Sequence, residues 1–209
     1  MGITIEGDGT LLLQSPVDQS ISSLETFARQ KLVWVHTKLM EKGTLRPAYQ
    51  RVFVNGEGFY YLGRSYRLWI GDDPNTPKLR LHAGRFWLRR NELPNARYCF
   101  VDWYRTHGLI WLYNRTITYT ARIGADMKRF DVRDLGQQWG TCDPDGTIAL
   151  HWRVVMLPPP VIDYIIVHEL AHLREPHHGP TFWVRLGRVL PNYGERKRWL
   201  AEHGAEFDI

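Results

Sequence analysis

Cysteine is scarce: Cys99 and Cys142 are the only two in 209 residues. Two thiols cannot build a disulfide framework, nor complete a zinc or iron–sulfur site alone, so both are expected to be plain buried or half-buried residues. Long apolar runs are missing too, and the longest, around residues 161–167, stops well short of the ~20 residues that span a bilayer. No basic segment followed by an apolar one opens the chain; residues 1–18 read polar, Gly-rich and strand-like, and the expectation is a cytoplasmic protein without a membrane partner. Internal repeats, low-complexity tracts and a Gly-rich phosphate loop are also lacking. What remains is globular: 44% apolar, 13% aromatic and 23% charged residues exclude wholesale disorder. The length suits one large unit or two small, closely packed ones. The net charge of +5 permits a nucleic-acid or acidic partner without demanding one.

Along the chain, residues 3–6 and 10–13 have strand character, parted by the turn cluster Gly7-Asp8-Gly9. Ile21, Leu24, Ala28, Leu32, Val35 and Leu39 recur at helical spacing, with Ser22 and Glu25 as a capping box and Gly43 as the stop. Strands are expected over 51–54, 58–62, 66–70, 79–81 and 86–88, forming a small antiparallel sheet with a hairpin turn at His82-Ala83-Gly84-Arg85. Residues 96–123 read as helix. A third β region follows over 130–132, 138–141 and 147–156, with Asp143-Pro144-Asp145-Gly146 as a turn. Pro158 to Pro160 then introduce a helical end. The pattern is α+β, with a soft boundary near residues 91–94 between a β-rich region, 1–94, and a helical and β region, 95–209.

The chemistry concentrates in Val167-His168-Glu169-Leu170-Ala171-His172. On an apolar helix, His168 and His172 are four apart and share a face, which suits two imidazoles gripping one Zn²⁺. Glu169 sits about 100° round the helix, placed to take a proton from an activated water and return it to a leaving group. Two unpaired histidines in so apolar a helix are costly unless they bind something. Zinc needs a third protein ligand and an open position. Pro176 and Gly179-Pro180 break the helix, so the chain turns back and offers His178, with His177, Glu175, Glu195 and Glu202 as rivals. The ligand spacing equals that of metzincins, but Glu175 stands where their glycine would be and no methionine follows the motif.

Taken together, Gln138-Trp139-Gly140-Thr141-Cys142, residues 146–153, residues 161–173 and His177-His178-Gly179-Pro180-Thr181-Phe182-Trp183 resemble the YgjP-like metal-dependent hydrolases, small gluzincin-like or SprT-like zinc metallopeptidases. The resemblance is sharp over 130–203 and looser upstream, where residues 60–68 look like the family's β-rich N-terminal region. It implies a zincin-like fold, His168, His172 and His178 as metal ligands, and Glu169 as the catalytic glutamate. Three departures stand out. Thr141 replaces a serine, His151 an asparagine, and His177-His178-Gly179 an asparagine–histidine–serine run.

A strand edge beside the zinc helix, from 138–141 or from 148–152, would hold an extended polypeptide; the alternative makes Trp139 and Trp152 interior core residues. Trp139, Gly140, Thr141 and His151 are therefore candidate substrate contacts. Tyr193 and His203 are candidate oxyanion donors, or packing and surface residues. Arg85, Arg89, Arg90 and Arg97, interleaved with Phe86 and Trp87, fit either a nucleic-acid surface or a half-buried sheet with one solvated face. The reading is a zinc-dependent hydrolase acting on polypeptide, with Zn²⁺ as cofactor. The alternatives are a UTP pyrophosphatase, for which only Arg153 and Arg174 lie near as cationic groups, and a zinc-stapled binding module without catalysis.

Overall fold

Short alternating segments at the start of the chain pair as their pattern predicts. In the computed structural model, which describes residues 1–5, 11–16, 19–41 and 51–209, β1 (Gly2–Ile5) lies antiparallel to β2 (Leu11–Gln14), with Ile3 opposite Leu13. The turn cluster at 7–9 and the helix stop at Gly43 fall outside the described residues. Helix α1 (Ile21–Glu41) packs against β1 and buries Val35. Its cap is Ser20 rather than Ser22: the Ser20 hydroxyl accepts from the Ser23 amide at 3.3 Å. Those elements belong to one compact unit, Met1–Gln50, and everything that follows belongs to a second, Arg51–Ile209.

The second unit opens without the expected strand at 51–54, which is irregular; Phe53 there has φ +53°, a left-handed conformation that a strand cannot hold. Four strands follow: β3 (Gly58–Tyr61), β4 (Arg64–Gly71), β5 (Leu79–His82) and β6 (Arg85–Arg89). The β5–β6 hairpin turns on Ala83 (φ +48°) and Gly84 (φ +72°), the two positive φ values that match a tight turn to the strand twist. Spatial order is β3-β4-β6-β5. The outer pairs are antiparallel as expected, but the central β4–β6 pair is parallel, because the chain crosses over to lay down β5 on the far edge. One face of this sheet carries Phe59, Leu68, Ile70, Phe86 and Leu88, all buried.

A 3₁₀ turn over Arg90–Asn95 leads into α2 (Ala96–Ile123), closed by Gly124 in a left-handed conformation at φ +69°. The composition shift near residues 91–94 thus coincides with a sheet-to-helix join inside the second unit. Phe100, Trp103 and Tyr104 of α2 pack on Phe59 and Phe86, and Tyr104 also stacks with Trp152. One apolar core therefore runs from the four-stranded sheet through α2 to the following elements. These are a three-stranded sheet of β7 (Arg129–Arg133), β8 (Gly140–Cys142) and β9 (Thr147–His151), then α3 (Pro159–His172), α4 (Pro180–Val189) and α5 (Tyr193–His203). β9 ends earlier than expected, at His151, because residues 152–156 tighten into a 3₁₀ turn that buries Trp152 and Met156. The order β7-β9-β8 puts β9 in the middle and β8 at an edge. Of the two candidate edges, 148–152 is therefore interior, and 138–141 supplies the open one.

Candidate metal centre

Helix α3 begins with prolines at its first turn, where a missing N–H costs nothing, and its apolar residues are buried on nearly every side. That leaves His168, Glu169 and His172 at its exit, next to β8 and α4. The chain then turns at 173–179. Arg174 and Glu175 amides bond back to the Ala171 carbonyl, and Glu175 is fixed by Thr181 Oγ1 at 3.0 Å and Arg185 at 3.2 Å. This turn returns His178 to the helix. His168, His172 and His178 offer one donor nitrogen each, all within 4.8 Å of one another. His177, Glu175, Glu195 and Glu202 do not join the group, and both carboxylate oxygens of Glu175 are already engaged.

The rings are held from behind. His172 Nδ1 lies 3.1 Å from the Glu175 carbonyl and donates to it, leaving Nε2 as the free lone pair. His178 stacks on Trp183 at 5.6 Å, and the Trp183 indole N–H donates to the His178 carbonyl at 3.1 Å. Trp183 is in turn stacked by Tyr193 and covered by the Lys197 ammonium at 4.6 Å. His168 Nε2 sits 2.9 Å from His178 Nε2, while its Nδ1 is buried without a partner. Burial, then the neighbouring His172, His178 and Lys197, push His168 down to about 3 and His178 in the same direction. Both rings are therefore neutral at physiological pH, the state in which imidazole ligates.

Glu169 is 7% exposed, and burial alone pushes its carboxyl up to about 8. Its surroundings explain an unexpected sequence requirement. A Cβ built at Gly140 would lie 2.7 Å from Glu169 Cγ and 2.9 Å from Cδ and Oε1. Strand β8 thus passes against the glutamate so closely that only glycine fits. Cys142, on the same face of β8, is pushed up to about 11 by burial and by Glu169. Such a thiol is inert, and both cysteines are free, as their scarcity predicts.

A model of the YgjP-like metallopeptidase domain matches residues 1–203. The chain belongs to that family. The YgjP-like protein is thus a metal-dependent hydrolase of the peptidase class, and its three histidines form a group able to hold the ion. Among solved structures, the metallopeptidase zymogen of Pyrococcus abyssi abylysin is similar at 24% identity and a TM-score of 0.40, over 44% of this chain and 93% of that one. No curated protein matches the chain. No helix among the described residues is long and apolar enough to cross a membrane.

Other residues singled out in this YgjP-like sequence stand further back. His151 is buried at the end of β9, its Nδ1 accepting from the Arg153 amide at 3.0 Å and its Nε2 facing Asp134 at 3.3 Å. Burial and Arg153 push it down to about 4. Trp139 is half-buried under the Arg153 guanidinium, 5.3 Å from its ring, and packs on Gly204. Thr141 alternates with Gly140, so its side chain faces away from Glu169, and its Oγ1 is buried without a partner. His203 faces Glu206 and packs on Trp199. The Trp183–Tyr193–Lys197 backing of His178 was not expected from sequence. Its signal was the aromatic and basic spacing of α4 and α5, which reads equally well as ordinary packing.

Proposed function

We propose that this YgjP-like protein is a zinc-dependent peptidase in which His168, His172 and His178 hold the ion and Glu169 is the general base. One observation carries the reading. Three imidazole nitrogens converge beside a buried glutamate, with no fourth protein ligand among the described residues. That donor set suits Zn²⁺, and three ligands leave a position for water or substrate, as catalytic rather than structural sites do. When bound, the ion supplies Lewis-acid polarisation of a carbonyl and brings the acidity of water to near neutral pH.

The chain's own residues do the rest. Glu169 accepts the proton of the attacking water and delivers it to the departing amine. Burial raises its pKa to about 8, whereas a divalent cation nearby favours the carboxylate and draws it down, so the empty and loaded sites hold different protonation states. Gly140 keeps β8 close enough to fix the glutamate's position. In the β8–β9 ladder, the His151 amide bonds to the Trp139 carbonyl, and the alternation turns the main-chain groups of Gly140 and Cys142 towards the open edge. An extended polypeptide laid along that edge would pair with them and present its carbonyl to the histidines. Of the two arginines weighed for a phosphate ligand, Arg153 is engaged by the Gly136 carbonyl and Asp208, and Arg174 by the Gly124 carbonyl.

The experiment offers the protein denatured casein and UTP in parallel, after chelation and after addition of Zn²⁺. Casein cleavage that stops with chelator and returns with zinc is the expected result. Pyrophosphate release from UTP without peptide cleavage overturns the peptidase reading.

A further inference from the structure

The four-stranded sheet has a second face, and its strand register determines what that face carries. Leu68, Ile70, Phe86, Leu88 and Leu79 point to the core, so the alternate residues point away. Register places Trp69 of β4 beside Trp87 of β6 and Arg80 of β5 in one row, and Arg67 beside Arg85 and His82 in the next. Successive rows are roughly 7 Å apart and neighbouring strands about 5 Å apart, so these six side chains form one continuous patch. Trp69 is 41% exposed, an unusual state for an indole on a strand. The two indole centroids are 5.9 Å apart and the rings are inclined at 55°, so neither ring covers the other's face.

The charge is one-sided. None of Arg67, Arg80 and Arg85 meets a carboxylate among the described residues. Arg67 donates through one Nη to the Gly56 carbonyl at 2.7 Å and keeps its charge and its other N–H groups, while the Arg80 guanidinium lies 5.7 Å from the Trp87 ring centroid with its Nε buried and without a partner. The carboxylate nearest along β4, Asp72, is taken by Arg90 at 2.8 Å. The patch differs from the sequence-level list of basic residues. Arg89 and Arg90 are paired with Glu92 and Asp72, Arg97 lies on α2 rather than on the sheet, and Phe86 is core. Arg67, Trp69, Arg80 and His82 take their place.

We infer that this face binds single-stranded nucleic acid, with the bases stacking on Trp69 and Trp87 and Arg67, Arg80 and Arg85 meeting the phosphates. An open sheet face with aromatics on its middle strands and cations around them is a stacking platform for unpaired bases, whose π-faces are hidden in a duplex. The cations complement a polyanion, and a strand of unpaired bases offers both the charge and the flat π-faces that this pairing of arginine with indole takes up.

The test measures anisotropy of labelled 12-nucleotide single-stranded DNA and RNA with the full chain in about 50 mM salt, alongside quenching of tryptophan emission. Site sizes of about 4–16 nucleotides make that length sufficient. Binding with quenching is expected. Trp69→Ala should weaken it at least about five-fold. The double change Arg67→Glu with Arg85→Glu should weaken it further and flatten the salt dependence by roughly one to two units of slope. Both variants change exposed side chains, and circular dichroism checks their folding. DNA and RNA arms distinguish the two sources of the strand. The inference is overturned by no anisotropy change with either strand, by equal binding of wild type and variants, or by equal competition from duplex DNA or polyglutamate.

Discussion

Gly140 and Glu169 show how a single residue is dictated by its neighbour rather than by its own backbone. Gly140 has no positive φ; it is glycine because the glutamate occupies the space a Cβ would need. Gly140→Ala should leave zinc content unchanged, since the three atoms nearest to the added Cβ all belong to Glu169, while lowering kcat/KM by about 100-fold through a displaced general base. Unchanged turnover in that variant would mean that the glutamate tolerates a shift. His151 makes a second residue-level case. Its folded pKa is lowered to about 4 against 6.5 in an unfolded chain, so the unfolded state binds the proton first. Stability should therefore fall as pH drops from about 6.5 to 4. His151→Asn keeps polar capacity without titrating, and urea midpoints across that range should show a shallower slope than in the wild type. Parallel slopes would remove His151 from the acid sensitivity.

Among the elements, the decisive one for the proposed zinc site is the turn between α3 and α4, because the helix alone would supply only two of its three ligands. His178→Ala should weaken zinc binding by at least about 100-fold, more than the loss of an orienting partner costs. His177→Ala, at an exposed position, should leave it intact. The opposite pattern would move the third ligand to His177. In the proposed peptidase, strand β8 carries the second functional load. Substrate peptides N-methylated at the residues that pair with Gly140 and Cys142 should be cleaved much more slowly than their parents, because the ladder needs those N–H groups. Equal cleavage rates would place the substrate elsewhere.

What the sequence reveals of the fold and the site follows how local each signal is. The helix bearing His168 and His172 was legible because four-residue spacing and apolar density are local. So was the 82–85 hairpin, since Ala83 and Gly84 complete a turn within four residues. The parallel β4–β6 pairing was not legible, since strand order depends on a crossover that no short window contains. Phe53 broke an otherwise strand-like segment through a backbone angle that residue type does not encode. Local pattern marks Gly140 only as a candidate substrate contact; its approach to Glu169 joins positions 29 apart and emerges only when β8 is laid against α3. At the scale of the whole molecule, one core links the four-stranded sheet, α2, the three-stranded sheet and α3, so the site rests on a rigid frame. In the reaction proposed above, this frame positions a zinc site whose proton transfers run through Glu169. The most direct measurement compares the rate of casein cleavage by the wild type and by Glu169→Gln, each loaded to one zinc per chain. The glutamine variant should retain zinc and fold while losing hydrolysis by on the order of 10²-fold or more. Equal rates at equal zinc occupancy would remove Glu169 from the proton transfers.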